Sequence, residues 1–169
     1  MKKERIIFKG KLLKVLTKKV RLPNGYIANL EIVKHPGAAL IVPLLTKNKI
    51  IMLRQYRPVI NSYIYELPAG TLEKGEPPLS CARREIIEET GFRARKLTLL
   101  GKIYPAPGYT TEKIFIYKAE KLQEVKRNVE DDEVIEIMYL NKIEVRRLFR
   151  KGRIVDAKTV AALAFIGWI

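Results

Sequence analysis

The chain has 169 residues, 47% of them hydrophobic and 30% charged, with a formal net charge of +15. That length suits one well-buried domain. No apolar run reaches about 18 residues, so no membrane span is expected, and the basic start MKKERIIFKGK lacks the apolar core and small-residue cleavage site of a signal peptide. The single cysteine, Cys81, cannot form an internal disulfide; it reads as a small core residue in a reducing, cytoplasmic protein.

The positive charge is uneven. Residues 1–60 carry 14 Lys/Arg against 2 acids, residues 61–100 carry 6 against 6, and residues 101–169 carry 13 against 10. A basic N-terminal third either steers anionic nucleotides or nucleic acid, or belongs to the Lys/Arg/Glu/Ile-rich bias of heat-adapted proteins. The lysines are scattered rather than interleaved with aromatics, which favours the second for most of the excess.

In chain order, residues 4–21 read as a strand with partial alternation. Leu22-Pro23-Asn24-Gly25 is a turn with a hairpin signal, and residues 26–34 return as a second strand. His35-Pro36-Gly37 breaks it. Residues 38–45 and 49–56 are β-rich runs joined by a short polar turn, and 63–67 is a short strand. A helix follows Pro77-Pro78, since proline suits a first turn. Its residues Leu79, Ala82 and Ile86 recur at helical spacing and should face the core, and Gly91 should take the left-handed position beyond its end. Residues 97–104, 112–121 and 134–139 read as strands. Residues 141–151 read as a helix, and Asp156 as the N-cap of a last helix through Ala164. Strands on both sides of a central helix, with helices at the C-terminus, give an α/β (α+β) sandwich in a single domain.

The most informative segment is GTLEKGEPPLSCARREIIEETGF, residues 70–92. Glu85, Glu88 and Glu89 fall at i, i+3 and i+4, which stacks three carboxylates on one helix face. Such like charges repel, and a hard divalent cation removes the repulsion while binding substrate phosphates. A solvated acidic helix face is the alternative. Glycines at 70 and 75 let the preceding loop turn tightly and approach a ligand closely. Arg84 could pair with Glu76 or Glu85 as scaffolding.

Gly70, Glu76, Arg84, Glu85, Ile86, Glu88, Glu89, Gly91 and Phe92 stand at nine fixed positions, and together they resemble the Nudix box of the hydrolases that cleave a nucleoside diphosphate linked to another moiety. The resemblance implies a mixed β-sheet between α-helices. It implies Glu85, Glu89 and the Ala69 carbonyl as ligands of Mg²⁺ (or Mn²⁺), with Glu88 binding directly or through water. Arg84, Glu76 and Gly91 would be structural.

Other segments resemble the ADP-ribose pyrophosphatase subfamily: HPGAA at 35–39, RQYR at 54–57, ELPAG at 66–70, YPAPGYTTEKIFIY at 104–117 and DAKTVAALA at 156–164. Pro107 lies sixteen residues after Gly91, the proline position that marks ADP-ribose hydrolases. The implied activity is hydrolysis of ADP-ribose to AMP and ribose 5-phosphate. Arg54 and Arg57 would hold phosphate or the terminal ribose; the plainer reading of RQYR is an edge strand with surface arginines. Glu66, Gly70, Pro107, Gly108 and Glu112 are further substrate-site candidates. Tyr26, Tyr56 and Tyr109 could stack on adenine or be half-buried tyrosines. For the catalytic base the acidic loop 128–133 offers Glu133, then Glu130, with Glu88 as another catalytic candidate. The subfamily implies a homodimer through the strand pair in residues 1–34, with a catalytic core over 35–169. Alternatives are other nucleotide sugars or dinucleotides, RNA 5′ ends, and a regulator that binds ADP-ribose without cleaving it. The filled box opposes loss of catalysis, and no helix-turn-helix or winged appendage follows the domain, so a nucleic-acid partner is not favoured.

Overall fold

A computed structural model describes residues 4–127 and 134–169. It contains a small three-stranded sheet and a seven-stranded mixed sheet with three α-helices. The small sheet is β1 (Glu4–Lys9), β2 (Lys14–Arg21) and β3 (Ile27–Lys34), all antiparallel. Residues 4–21 are thus two strands rather than the expected one. The backbone reverses at Gly10, whose N–H donates to the Leu13 carbonyl at 2.8 Å. The hairpin at Asn24-Gly25 forms as its dipeptide predicts, closed by Leu22 and Tyr26 at 2.8 Å.

The large sheet is built on β4 (Ala38–Thr46) and β5 (Lys49–Arg57). With β8 (Phe92–Ile103), β9 (Ile114–Glu124) and β10 (Ile135–Asn141), its order is β10-β5-β4-β9-β8. The short strands β6 (Ser62–Glu66) and β7 (Ala69–Thr71) add to β5 and β4. Only β4 and β9 run parallel among the paired strands described. Because β5 pairs with β10 on one side and with β4 and β6 on the other, the RQYR segment is not an edge strand.

Strand β4 shows why the sheet is sandwiched. Its residues are buried from Ala38 to Pro43, and the period of two sorts them between two cores. Leu40 and Val42 pack with Val145, Leu163 and Trp168, under α2 (Lys142–Arg150) and α3 (Ala157–Phe165). Ala39 and Ile41 pack with Cys81, Ala82 and Ile86 of α1 (Pro78–Thr90). Both C-terminal helices are capped by polar side chains. Asn141 accepts from Ile143 and Glu144 N–H and forms a capping box, and Asp156 accepts from Thr159 N–H at 3.0 Å.

Candidate active site

Helix α1 begins at the prolines, with Pro77 as N-cap, and ends at Gly91, whose φ of 72° is the left-handed stop that glycine takes without a Cβ clash. Ala82, Glu85, Ile86 and Glu89 recur at i, i+3, i+4 and i+7, and all four are buried. Two of the box carboxylates therefore share the core-facing side of the helix, where Glu85 is 8% and Glu89 is 2% exposed. Glu88 lies half-buried at the edge of that face. Burying carboxylates is costly unless they are paired and hydrogen-bonded, and the loop ahead of the helix supplies part of that pairing. The Ala69 N–H donates to Glu89 Oε2 at 2.9 Å. Gly70 lies so close to Glu85 that a Cβ there would stand 1.7 Å from Oε1.

Arg84 ties these groups together. Its guanidinium donates to Glu76 at 3.1 Å, Glu85 at 2.6 Å and Glu88 at 3.0 Å, and to the Thr71 carbonyl at 3.3 Å. The hydrogen bonds to Glu76 lead the causes that raise the arginine's pKa, and the same bonds hold the Glu76 carboxyl below its usual range. Cys81 is buried beside this network, with Sγ 3.5 Å from the Gly70 carbonyl. Burial first, and then Glu85, push its thiol up to about 12. It is a neutral core residue.

Across the groove stands a second cluster. Arg57 grips Glu66 with two bonds of 2.6 and 2.7 Å. Lys158 donates to Glu66 Oε2, the oxygen that also accepts from Arg57 Nη2, and to Asp156 Oδ1 at 2.9 Å. Glu66 is only 1% exposed. Burial alone would raise its pKa, but Arg57 and Lys158 outweigh that and hold it low. Glu66 in turn raises Arg57. A cleft of about 340 Å³ runs past Arg57, Ala69, Gly70, Glu112 and Lys158. It shares Arg57, Ala69, Gly70 and Thr71 with a cleft of about 440 Å³ that reaches Arg84, Glu85 and Glu88.

The structure therefore brings Ala69, Gly70, Glu85, Glu88, Arg57 and Glu112 to one groove, with Glu66 beneath Arg57. It does not bring Arg54 there. Arg54 and Arg57 are three apart on β5 and point to opposite faces. Arg54 pairs with Glu136 at 2.7 Å and stacks 4.1 Å above the Tyr63 ring, which itself meets Tyr56. Pro107 and Gly108 are exposed in the turn 106–110, and Tyr109 and Tyr26 are exposed as well. Glu130 and Glu133 lie outside the described residues. Sequence reasoning missed Lys158, Pro105 and Thr71 as lining residues. The helix-cap sequence Asp156-Ala157-Lys158 was the available signal, because the cap fixes Lys158 at the groove.

Comparison with known proteins follows the same lines. A family model described as NUDIX domain matches residues 34–163. The chain belongs to the Nudix family. An ADP-ribose pyrophosphatase of Bacillus subtilis is 40% identical over 162 residues, which is 95% of this chain and 88% of that protein. A methanol dehydrogenase activator of Bacillus methanolicus is 38% identical over the same shares. An ADP-ribose pyrophosphatase of Mycobacterium tuberculosis is 34% identical, covering 91% of this chain and 76% of that one. A crystal structure of an ADP compounds hydrolase superposes with a TM-score of 0.79 at 25% identity, covering 97% of this chain and 92% of that chain. The Nudix fold is thus shown, with the small N-terminal sheet beside it. No helix among the described residues is long and apolar enough to cross a membrane.

Nudix proteins generally use a divalent metal and act on small nucleotide substrates. Among the described residues no three carboxylate, imidazole or thiolate side chains converge as a ready cage; the Arg84 guanidinium bridges Glu85 and Glu88 instead. The donors at hand are nonetheless all hard oxygens: three carboxylates and the Ala69 carbonyl. That set fits Mg²⁺ or Mn²⁺ and offers no thiolate or imidazole for a softer metal.

Proposed function

We propose that this Nudix protein hydrolyses the diphosphate of ADP-ribose, giving AMP and ribose 5-phosphate, with Mg²⁺ or Mn²⁺ as cofactor. The observation that carries the reading is the joint burial of Glu85 and Glu89 against Ala69 and Gly70, facing Arg57 across one groove. The 40% identity with an ADP-ribose pyrophosphatase supports the substrate. Glu85, Glu89 and the Ala69 carbonyl would hold the cation, with Glu88 completing the set. When bound, the cation supplies charge neutralisation for the diphosphate and its leaving phosphate.

The chain's own residues do the rest. Arg57 presents a guanidinium fixed by its bidentate bond to Glu66, so its remaining donors are aimed into the groove at substrate oxygens. Lys158 sits beside it, held between Glu66 and Asp156, and adds positive charge at that end. Glu66 thus acts as the anchor of both cations. Water attacks one phosphorus, the bridging P–O bond breaks, and Glu133, or failing it Glu130, takes the water's proton. Arg84 keeps the box carboxylates in register. The exposed apolar residues Ile6, Ile7, Phe8, Tyr26 and Ile27 of residues 1–34 support a homodimer through the small sheet.

The test is product analysis on ADP-ribose, ADP-glucose, GDP-mannose, NADH, a diadenosine polyphosphate and 5′-triphosphorylated RNA, with and without Mg²⁺. Mg²⁺-dependent release of AMP from ADP-ribose, well above the rest of the panel, is expected. Preferred turnover of RNA or of polyphosphates would overturn the substrate, and tight ADP-ribose binding without turnover would overturn the enzyme.

A further inference from the structure

Beyond the carboxylates the groove opens onto a shelf that none of these roles uses. The cleft holding Glu85 and Glu88 shares Lys11, Thr71, Leu72 and Glu73 with another of about 560 Å³, lined also by Lys14, Lys34, His35 and Lys74. The sheet register explains the convergence. Lys9 stands opposite Lys14, and Lys14 opposite Lys34, so three lysines form a row across β1, β2 and β3. Lys11 joins from the β1–β2 turn and Lys74 from the glycine loop of the box. All five are exposed, and none makes an ion pair among the described residues. The one acid lining that cleft is Glu73, which leans toward Arg84 at 4.0 Å.

Like charges directly opposite one another destabilise a sheet. A chain shaped by stability alone would break the row with an acid, as it does further along the same face of β2, where Lys18 pairs with Glu4. A bound anion removes the repulsion as a metal does for the box carboxylates. We propose that Lys9, Lys14 and Lys34, with Lys11 and Lys74, form a subsite for a phosphate carried by the moiety distal to the scissile diphosphate. The substrate class is then a nucleoside diphosphate linked to a phosphorylated sugar. This rests on the reading of the groove as a diphosphate hydrolase site. The charge is local: the same face of β2 and β3 continues with Leu16 opposite Ile32 and Lys18 opposite Leu30, which suits one small ligand better than a nucleic-acid track.

The experiment compares ADP-ribose with ADP-ribose bearing one phosphate on its distal ribose, in turnover with Mg²⁺ and in calorimetric binding. The proteins are the intact wild type, Lys14→Ala/Lys34→Ala, and Lys47→Ala as a charge control in the β4–β5 turn. Wild type and control should favour the phosphorylated compound by about tenfold or more through KM, steeply reduced by salt. The double variant should bring that ratio near one, without a lower Tm because it relieves repulsion. A wild-type ratio near one, or a ratio that Lys14→Ala/Lys34→Ala leaves intact, overturns the subsite while ADP-ribose turnover keeps the hydrolase reading. Lysine-dependent binding of the phosphorylated compound without turnover of either would support the subsite and overturn the hydrolase. Tighter, lysine-dependent binding of a single-stranded RNA oligomer would overturn the small-ligand subsite.

Discussion

Gly70→Ala isolates the contact on which the metal-site reading depends. A Cβ at position 70 would lie 1.7 Å from Glu85 Oε1, 1.9 Å from its Cδ and 2.5 Å from Oε2. An ordinary contact needs about 3.4 Å or more, so the carboxylate or the strand must move by well over an ångström. Glu85 borders the open cleft, so its carboxylate can swing aside, but only by giving up its 2.6 Å bond to Arg84 and its place beside Gly70. Overpacking of this kind costs about 1–3 kcal/mol, and each kcal/mol lowers Tm by roughly 2–4 °C in a chain of this size. The larger effect falls on chemistry, because a misplacement of about 1 Å at a reacting centre can cost on the order of a hundredfold. The assay is AMP release from ADP-ribose with thermal unfolding measured on the same sample. Gly75→Ala is the comparison: its φ is +80° and an added Cβ would meet nothing within 4 Å. That change should cost about 1–2 kcal/mol of backbone strain and leave activity within a few-fold. Gly70→Ala activity within threefold of wild type would refute the close packing of loop on carboxylate.

Glu89→Gln keeps an oxygen to accept from Ala69 N–H and removes the charge, so turnover should fall at least about a hundredfold while ADP-ribose still binds calorimetrically; chelation of divalent ions should mimic it, and unchanged turnover would sink the metal-site reading. Glu66→Gln should cost about 2 kcal/mol in urea unfolding, because Arg57 and Lys158 lose a shared buried anion. Since folding depresses the pKa of Glu66, its stabilisation is complete above the unfolded carboxyl range and is lost as pH falls through the lower folded value. Wild-type Tm should drop on acidification below about pH 4 and the variant's should drop less; parallel curves would contradict the assignment. Cys81 should resist Ellman's reagent at pH 8 in the native protein and react fully in guanidinium, since burial pushes its thiol up to about 12; rapid native labelling would show an opening that the packing denies.

Where local pattern and tertiary demand agree, the sequence is legible. The box helix is one case: prolines at its start, apolar residues at helical spacing and glycine at its end all specify the observed span. Gly10 shows the opposite case. Residues 4–21 alternate continuously enough to hide a hairpin, and the reversal is fixed by one backbone hydrogen bond that pattern does not encode. Arg54 and Arg57 look equivalent in RQYR, but strand periodicity sends them to opposite faces, and only pairing with Glu66 distinguishes the one in the groove. Lys158 is separated from Glu66 by 92 positions. No spacing rule links them; the packing of α3 on the sheet, with Leu67 N–H donating to Thr159 Oγ1 at 2.9 Å, brings the two together.

The same separation of scales explains how the site tolerates its own charge. Glu85, Glu88 and Glu89 on one turn would repel, and Arg84 offsets part of this by bonding Glu85 and Glu88 together with Glu76. That arrangement engages one oxygen each of Glu85 and Glu88, and a single guanidinium among these carboxylates leaves the network net negative. On the proposed reading a divalent cation would compete with that guanidinium for those oxygens, and its diphosphate would meet Arg57 and Lys158 on one flank and the lysine row on the other. The cation would relieve the repulsion among the carboxylates, and the anionic substrate that among the lysines. Cation and diphosphate also attract each other, so on that reading each should tighten the other's binding, and by the same factor, as linkage requires.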